Sequence, residues 1–247
     1  MMLDSRMTSC VEILLCCLLL LGLGNQDTAA ASSPPVPSWP DQFSVQLTIY
    51  VEQYGNWQSI GAMYYNYTQK TFRADYIDWC LPLFDTGSPD KNNYTCTFLA
   101  TQGSMYFVNH TALSWDDYQC CLFEEGLAAV PPDWMKNCQY NGTQQIWDTE
   151  CDAWWFPGTS DPEKPCYGYW TAQDDQRTPV QFFGLSSVGP TILKYSGYKP
   201  GPFDVPLNLP SASCQQECKP PLSKRLRKAM GGGRKREQAW PIQWPSC

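Results

Sequence analysis

The chain has 247 residues and a formal net charge of −7, and 43% of its residues are hydrophobic and 14% aromatic. The acidic balance argues against nucleic acid as a partner, because nucleic-acid-binding surfaces are basic. The sequence contains one histidine, His110, which nearly excludes Ser-His-Asp and Cys-His catalysis.

The N-terminal region predicts a targeting segment. An apolar run from Ile13 to Leu23 follows Arg6. It is too short to cross a membrane, since a spanning helix needs roughly 20 apolar residues. Ala29-Ala30-Ala31 supplies a cleavage site, so residues 1–31 are predicted to be a secretory signal peptide, with a signal anchor as the alternative. The mature chain is then expected to be secreted or to lie in the lumen of the secretory pathway.

After a linker over residues 32–40, the chain alternates strictly between apolar and polar residues. Because successive side chains of a strand point to opposite faces, this pattern predicts one long strand with an apolar face. Its apolar residues are Phe43, Val45, Leu47, Ile49 and Val51. A similar strand-like pattern recurs over residues 63–67, 72–77 and 104–108, and the succession of such segments predicts an antiparallel meander.

Large apolar side chains on one face of these strands must cover either a core or a ligand. If Asn66 and Asn109 carry glycans, they mark the solvent face, and the apolar groups lie opposite. We therefore predict a cavity for a hydrophobic ligand. Its lining residues are Met63, Tyr65, Phe72, Tyr76 and Tyr106. An ordinary filled aromatic core is the alternative.

Thirteen cysteines are present, and three of them leave with the predicted signal peptide. The remaining ten are expected to form disulfides, because an even number in a secreted chain is typical of a disulfide framework. The domain contains Cys80, Cys96, Cys120, Cys121, Cys138, Cys151, Cys166 and Cys214, and the tail contains Cys218 and Cys247. The adjacent Cys120 and Cys121 should reach different partners, and the connectivity stays open. Zinc is disfavoured, since it requires tight cysteine pairs or histidines.

Four N-glycosylation sequons indicate the same compartment. Chance sequons are common, but four in a chain with a signal peptide are more informative. They predict glycans at Asn66, Asn93, Asn109 and Asn141.

Shorter elements follow. Pro131-Pro132-Asp133-Trp134 resembles a helix start, because proline suits the first turn, and this helix should end by Cys138. Later strand candidates cover residues 144–147, 167–171, 180–185 and 191–195. By its size the region 41–214 is one domain, with low helical content.

The charge distribution marks a boundary. Residues 32–214 carry eight basic and nineteen acidic residues, whereas residues 215–247 carry eight basic and two acidic residues. This tail contains glycine and proline clusters, and we expect it to be disordered. A solubilising role is the simplest interpretation. The alternatives are binding to an anionic glycan or membrane surface, docking on the acidic domain, and processing at Lys-Arg pairs.

Carboxylates cluster at several places, and a solvated surface is the simplest explanation of them. Two carboxylates can serve a glycosidase when they lie roughly 5–10 Å apart, and calcium takes about six to eight oxygen ligands. No metal ligand is assigned, and calcium is left open as a cofactor. The clusters are Asp116-Asp117, Glu124-Glu125, Asp148 with Glu150 and Asp152, and Asp174-Asp175.

Three motifs carry a family resemblance over residues 41–214. Gly61-Ala62-Met63-Tyr64-Tyr65-Asn66-Tyr67, followed by Phe72-Arg73-Ala74-Asp75, resembles the G-x-x-Y-Y-D…R-x-D hairpin of ependymin-related proteins. Pro202-Phe203-Asp204-Val205-Pro206…Cys214 is similar to the ependymin C-terminus. Tyr118-Gln119-Cys120-Cys121 with Pro132-Asp133-Trp134 resembles secreted proteins of protists and algae that share this architecture.

The resemblance implies a mainly β fold, in which a curved antiparallel sheet of the LolA/ependymin-like half-barrel type, with one or two short helices, wraps an apolar cavity. It also implies lipid binding, and for ependymins calcium binding and cell-matrix adhesion. Asn66 departs from the motif, which has aspartate there. We expect a non-catalytic secreted glycoprotein that binds a lipid or other hydrophobic ligand. The alternatives are an extracellular calcium-binding or matrix-interaction protein with a filled core and, less favoured, a carbohydrate-active enzyme.

Overall fold

The computed structural model describes residues 33–55, 57–80, 93–110, 120–126, 128–156, 167–186, 189–207, 214 and 216–218. These residues form eleven strands and one short 3-10 helix, Glu52–Tyr54. The strands are β1 Gln42–Val51, β2 Gln58–Asn66, β3 Thr71–Ile77, β4 Cys96–Thr101, β5 Ser104–Asn109, β6 Cys120–Glu125, β7 Gln139–Ile146, β8 Thr149–Phe156, β9 Tyr167–Ala172, β10 Pro179–Ser186 and β11 Gly189–Pro200.

The strands form a single antiparallel sheet in the order β6-β5-β4-β3-β2-β1-β11-β10-β9-β8-β7. Two meanders, β1 to β6 and β7 to β11, meet where β1 pairs with β11. Within the described residues β6 and β7 are the two outermost strands and do not pair with each other, so the sheet is not closed. The predicted mainly β class with one large antiparallel sheet is confirmed.

The alternating segment forms the central strand, β1, as predicted. Its five apolar side chains are all buried, with exposed fractions of 0% to 4%. They define what we call the inner face of the sheet, and the opposite side is the outer face. β1 pairs with β2 on one side and β11 on the other, so the register of this strand sets both halves of the sheet.

Other elements were incompletely predicted. β4 was missed because all six of its residues are buried, which removes the alternation. β6 and β8 were missed as well. Trp147 belongs to the turn between β7 and β8, with φ of 53°, and not to a strand. The helix predicted to begin at Pro131 is instead a series of turns up to Asn137, in which the amides of Trp134, Lys136 and Cys138 each donate to the carbonyl three residues earlier.

A glycine is required where β2 approaches β3 most closely. A Cβ atom added to Gly61 would fall on the carbonyl oxygen of Asp75 in the neighbouring strand. Any larger residue would therefore push the two strands apart. This close backbone contact explains why the predicted hairpin motif opens with a glycine, Gly61.

After β11 the chain crosses the outer face of the β1 to β6 half. We call this segment, residues 201–207, 214 and 216–218, the strap. The Phe203 ring lies 5.5 Å from that of Tyr64, and Arg73 Nη1 donates to the carbonyl oxygen of Pro206 at 3.0 Å. Leu207 is buried.

The strap ends on the edge strand β6. Leu122 forms a parallel bridge with Glu217, in which the Leu122 amide donates to the Gln216 carbonyl at 2.7 Å and the Cys218 amide donates to the Leu122 carbonyl at 2.8 Å. Two disulfides fasten it, Cys120–Cys214 and Cys121–Cys218. They close loops that span 94 and 97 residues, the kind of long loop in which a disulfide typically contributes about 2–4 kcal/mol.

We expect Val45→Asp and Leu47→Asp to lower the free energy of unfolding by about 3–5 kcal/mol, because each buries an unpaired carboxylate in the core. Gln46→Asp, at an exposed position of the same strand, is the matched control and should change it by less than about 0.5 kcal/mol. Urea unfolding followed by tryptophan fluorescence measures all three. Equal losses of unfolding free energy in Gln46→Asp and Val45→Asp would contradict the assignment of Val45 to the inner face.

Candidate ligand-binding site

The inner face carries one continuous aromatic core. Side chains from β1 to β6 and from β8 to β11 join a single buried cluster, so the sheet wraps around it. Two further pieces of chain close the core from the other side. One is the segment before β1, which brings in Trp39, and the other is residues 128–138, which link the edge strands β6 and β7. We call the latter the crossing segment.

Trp39 joins these pieces. Its amide donates to the Pro132 carbonyl of the crossing segment at 3.0 Å, and its indole Nε1 donates to the Tyr169 hydroxyl of β9 at 3.0 Å. Its ring lies 5.2 Å from those of Tyr65 on β2 and Trp134 on the crossing segment. Trp39 therefore contacts both halves of the sheet and the segment that covers them.

Four of the five predicted cavity residues come together in this cluster. Met63 and Phe72 are 6% exposed, Tyr76 is 3% exposed, and Tyr65 is fully buried. The Tyr65 hydroxyl donates to the Val130 carbonyl of the crossing segment at 2.7 Å. These side chains pack against the protein's own rings, so at this depth the core is filled.

The fifth predicted residue, Tyr106, lies on the outer face, and its predicted placement is wrong. It packs with Val108, Cys120 and Cys214 in a separate cluster. β5 is buried on both faces, so hydrophobicity alone did not distinguish them. The orientation rested on Asn109, but Asn109 pairs with Cys96, whose side chain belongs to the inner cluster.

The core becomes partly exposed at one end of β8 and β9. Trp134 and Phe156 stack with centroids 5.4 Å apart and planes 9° apart, and the Tyr167 ring lies 6.0 Å from that of Phe156. All three side chains are partly buried against the core. We call Trp134, Phe156 and Tyr167 the rim.

A glycine shapes the rim. A Cβ on Gly184 would approach the Phe182 ring at 3.1 Å and the Tyr167 ring at 3.4 Å. Without a side chain there, the Tyr167 ring can stack over Phe182, with planes 18° apart. Sequence reasoning singled out the tryptophans but missed Phe156 and Tyr167. Trp154-Trp155-Phe156 was the available signal, since three large rings in succession cover both faces of a strand.

One carboxylate near this core, that of Asp152, is buried and accepts hydrogen bonds from its neighbours. Asp152 accepts hydrogen bonds from Gln173 Nε2 at 2.8 Å and Arg177 Nη1 at 3.2 Å, and Tyr140 OH lies 3.5 Å away. The ion pair fastens the turn after β9 to the β7–β8 hairpin. Its predicted cluster partners Asp148 and Glu150 are exposed.

Asp174, Asp175, Glu124 and Glu125 are also exposed, and Asp116-Asp117 lies outside the described residues. In the described part of the chain, no group of three or more His, Cys, Asp or Glu residues is placed to hold a metal ion. Calcium binding stays a prediction.

His110 belongs to a polar chain on the outer face. Its Nε2 lies 2.7 Å from Thr97 Oγ1, and Thr97 donates to Asp75 Oδ1, which also accepts from Arg73 Nε at 2.8 Å. Burial lowers the pKa of His110, and the neighbouring Asp75 opposes that shift. The threonine hydroxyl stands between the imidazole and the carboxylate and is itself buried, which is not the order of a catalytic triad. The chain instead orients Arg73 toward the strap.

The cysteines divide into bonded and free. Cys80–Cys96 joins the end of β3 to the start of β4, and Cys120 and Cys121 reach different partners, as predicted. Cys218 is bonded although it was assigned to the tail. Cys138 and Cys151 are free buried thiols, so the predicted disulfides at these two positions are wrong. They belong to different clusters, on the inner and outer faces. Cys166 and Cys247 lie outside the described residues.

The four sequons differ in exposure. Asn93 and Asn141 are exposed and Asn109 is partly buried. Asn66 is only 8% exposed, and its Oδ1 accepts a hydrogen bond from the Gln69 amide at 3.1 Å.

No helix within the described ranges has the length and apolar content that a membrane span needs.

No protein-family model and no curated protein matches the chain. Among solved structures it is similar to an uncharacterised conserved protein of Thermus thermophilus, with 9% identity, a TM-score of 0.45 and coverage of 72% of this chain and 91% of that one. It is also similar to the lipoprotein LppX of Mycobacterium tuberculosis, with 14% identity, a TM-score of 0.34 and coverage of 66% and 89%.

A LolA superfamily protein of Nitrosomonas europaea is similar at 11% identity, with a TM-score of 0.29 and coverage of 68% and 88%. Likenesses at this level say nothing about what the chain binds. The ependymin resemblance stays a prediction.

Burial should make the fold sensitive to alkali. It raises the pKa of Cys151 to about 11 and that of Cys138 to about 12, and it raises the pKa values of Tyr76 and Tyr195 above their ordinary range. Because the folded state holds these protons more tightly than the unfolded state, their contribution is complete below about pH 9 and is lost as the pH rises through 11–12. The urea concentration at the unfolding midpoint should therefore fall steeply above about pH 10. The tyrosinate absorbance should rise cooperatively as the chain unfolds. Gradual ionisation of every tyrosine near pH 10 in the folded chain would contradict the burial.

Proposed function

We propose that the chain binds a lipid or another hydrophobic molecule, without catalysis, at the rim. The observation that supports this is the partly exposed set of rings formed by Trp134, Phe156 and Tyr167 at the end of an otherwise filled aromatic core. Stacked rings backed by buried apolar side chains offer an apolar ligand a rigid surface, and such sites are typically lined by aromatic groups.

The strength of binding depends on apolar area. Burial is worth about 25 cal/mol per Å², so a few hundred Å² of acyl chain yields several kcal/mol before the cost of association. Because Met63, Tyr65 and Phe72 already fill the deep core, the ligand chain lies against the rim and does not extend along β2 and β3. The proposed site is therefore shallower than the cavity predicted from the sequence.

A second candidate function is an extracellular interaction protein with a filled core. The burial of Tyr65, whose hydroxyl is satisfied by Val130, favours it. In that case the rim contributes only to stability, and the exposed surfaces make the functional contacts.

Fluorescent fatty-acid displacement separates the two candidates. Affinity should rise by up to about 0.8 kcal/mol per added methylene over short chains and then level off where the rim ends. Phe156→Ala and Tyr167→Ala should each weaken binding by about 1–2 kcal/mol, a factor of about 5–30.

The matched control is Phe183→Ala, a partly buried ring on the outer face of β10. It should leave affinity unchanged, and so should Tyr106→Ala. If affinity does not depend on the length of the fatty-acid chain, the interaction-protein function replaces the lipid-binding function. The same holds if the Phe156→Ala and Phe183→Ala variants remain folded and bind fatty acid equally well.

We further propose secretion as a glycoprotein. Three disulfides favour an oxidising compartment. Intact mass after secretion should show loss of residues 1 to about 31. Asn93→Gln and Asn141→Gln should each remove one glycan mass, whereas Asn66→Gln should remove none, because the Asn66 side chain is buried. An intact amino terminus without glycan would overturn this assignment.

A further inference from the structure

Exposed apolar side chains concentrate at one end of the sheet. Among the described residues, large hydrophobic side chains are exposed at five positions, and four of these lie near the ends of β2, β3 and the β7–β8 hairpin. Three of them, which we call the outer patch, are Ile60, Ile77 and Trp147, and the fourth is Trp57. The fifth, Val36, belongs to the segment before β1.

The register makes the outer patch continuous. Ile60 pairs directly with Ile77 on β3 and with Thr48 on β1, and Thr48 pairs with Lys194 on β11. The Trp147 ring reaches this row from the hairpin tip, because Lys194 Nζ lies 4.3 Å from its centroid.

The Trp147 ring also lies 6.1 Å from the ring of Tyr50 on β1. An isolated exposed apolar residue needs no explanation, but a connected group of this kind is typical of an interaction site.

The charges around the outer patch favour a basic partner. Exposed carboxylates lie near the patch: Asp78 follows Ile77 and Asp148 follows Trp147 in the chain, and Glu52 lies two residues beyond Tyr50, whose ring contacts Trp147. Lys194 is the one cation that the register places in this row of described residues, and it lies over Trp147. A segment with aromatic side chains and several positive charges would satisfy both the apolar surface and its acidic edge.

The chain itself contains such a segment. Arg234-Lys235-Arg236 is followed by Trp240, Ile242 and Trp244, all outside the described residues. The tail that carries it is basic, whereas residues 32–214 hold nineteen acids against eight bases.

The segment can reach the outer patch from the place where the strap ends. Glu217 is bridged to Leu122 on β6, which is three strands from β3 in the sheet order. Strand spacing and rise put Ile77 roughly 20 Å from Leu122. The fifteen residues 219–233 are long enough for this distance, since a random coil of that length spans about 20 Å root-mean-square and would give the segment a local concentration on the order of millimolar.

We propose that the C-terminal segment 234–244 docks on the outer patch. Its tryptophans and Ile242 cover Ile60, Ile77 and Trp147, and its basic triplet faces the carboxylates of Glu52, Asp78 and Asp148. The docked tail shields the patch from other apolar surfaces.

Carbodiimide cross-linking of the full chain tests this, because it joins an amine to a carboxylate only in direct contact. Lys235 should couple to Asp78, Asp148 or Glu52, and peptide mass spectrometry should detect the linked peptides. Trp240→Ala with Trp244→Ala, which leaves the sheet untouched, should reduce the yield at least about fivefold, and so should Ile60→Ser with Ile77→Ser. Added salt should reduce it as well.

Val36→Ser, which removes an exposed apolar residue outside the patch, is the matched control and should leave the yield unchanged. Equal yields in all variants would overturn the proposal. A mixture of light and heavy isotope-labelled chains in which light–heavy cross-links appear in statistical proportion to light–light and heavy–heavy ones would assign the patch to a second copy instead. Loss of binding to phosphatidylcholine vesicles in the Ile60/Ile77 variant, with no Lys235 cross-link in the parent chain, would assign it to a membrane.

Discussion

The antiparallel pairing of β1 with β11 is the constraint on which the rest of the structure depends. The two meanders have no other strand pairing in common within the described residues. Through this junction the inner rows run across the whole sheet, for example from Trp154 through Tyr169 and Phe182 to Leu193 and Ile49. A one-residue slip at β1 would turn five buried side chains to the outer face and interrupt every row at once.

Closure of the inner face then decides what kind of site remains. The crossing segment runs between the two edge strands, and Trp39 bonds it to β9, so the centre of the sheet is occupied by the protein's own rings. The ligand site proposed above is the rim, where Phe156 and Tyr167 lie at the strand ends. On the outer face the strap crosses the β1 to β6 half of the sheet, and its disulfides fix the point from which the basic tail departs.

The sequence by itself determined the central strand and much of the architecture. Alternation from Phe43 to Val51 identified the face of β1, because a strand with one buried face carries its own register signal. The aromatic content and the cysteine count indicated a disulfide-linked β domain, and the adjacency of Cys120 and Cys121 required separate partners. Met63, Tyr65, Phe72 and Tyr76 were placed together, and Met63 and Tyr65 were given their face because they lie opposite the Asn66 sequon on the strand.

Only the tertiary structure decided the rest. β4 and β5 are buried on both sides, so their sequences do not distinguish inner from outer, and Tyr106 was assigned to the wrong face. Disulfide partners depend on the path of the strap, which joins residues 94 and 97 positions apart and leaves Cys138 and Cys151 on opposite faces without partners. Whether an apolar face encloses a cavity or a filled core depends on what crosses it. That was set by Trp39 and the crossing segment through contacts between residues far apart in the chain, which no local pattern encodes.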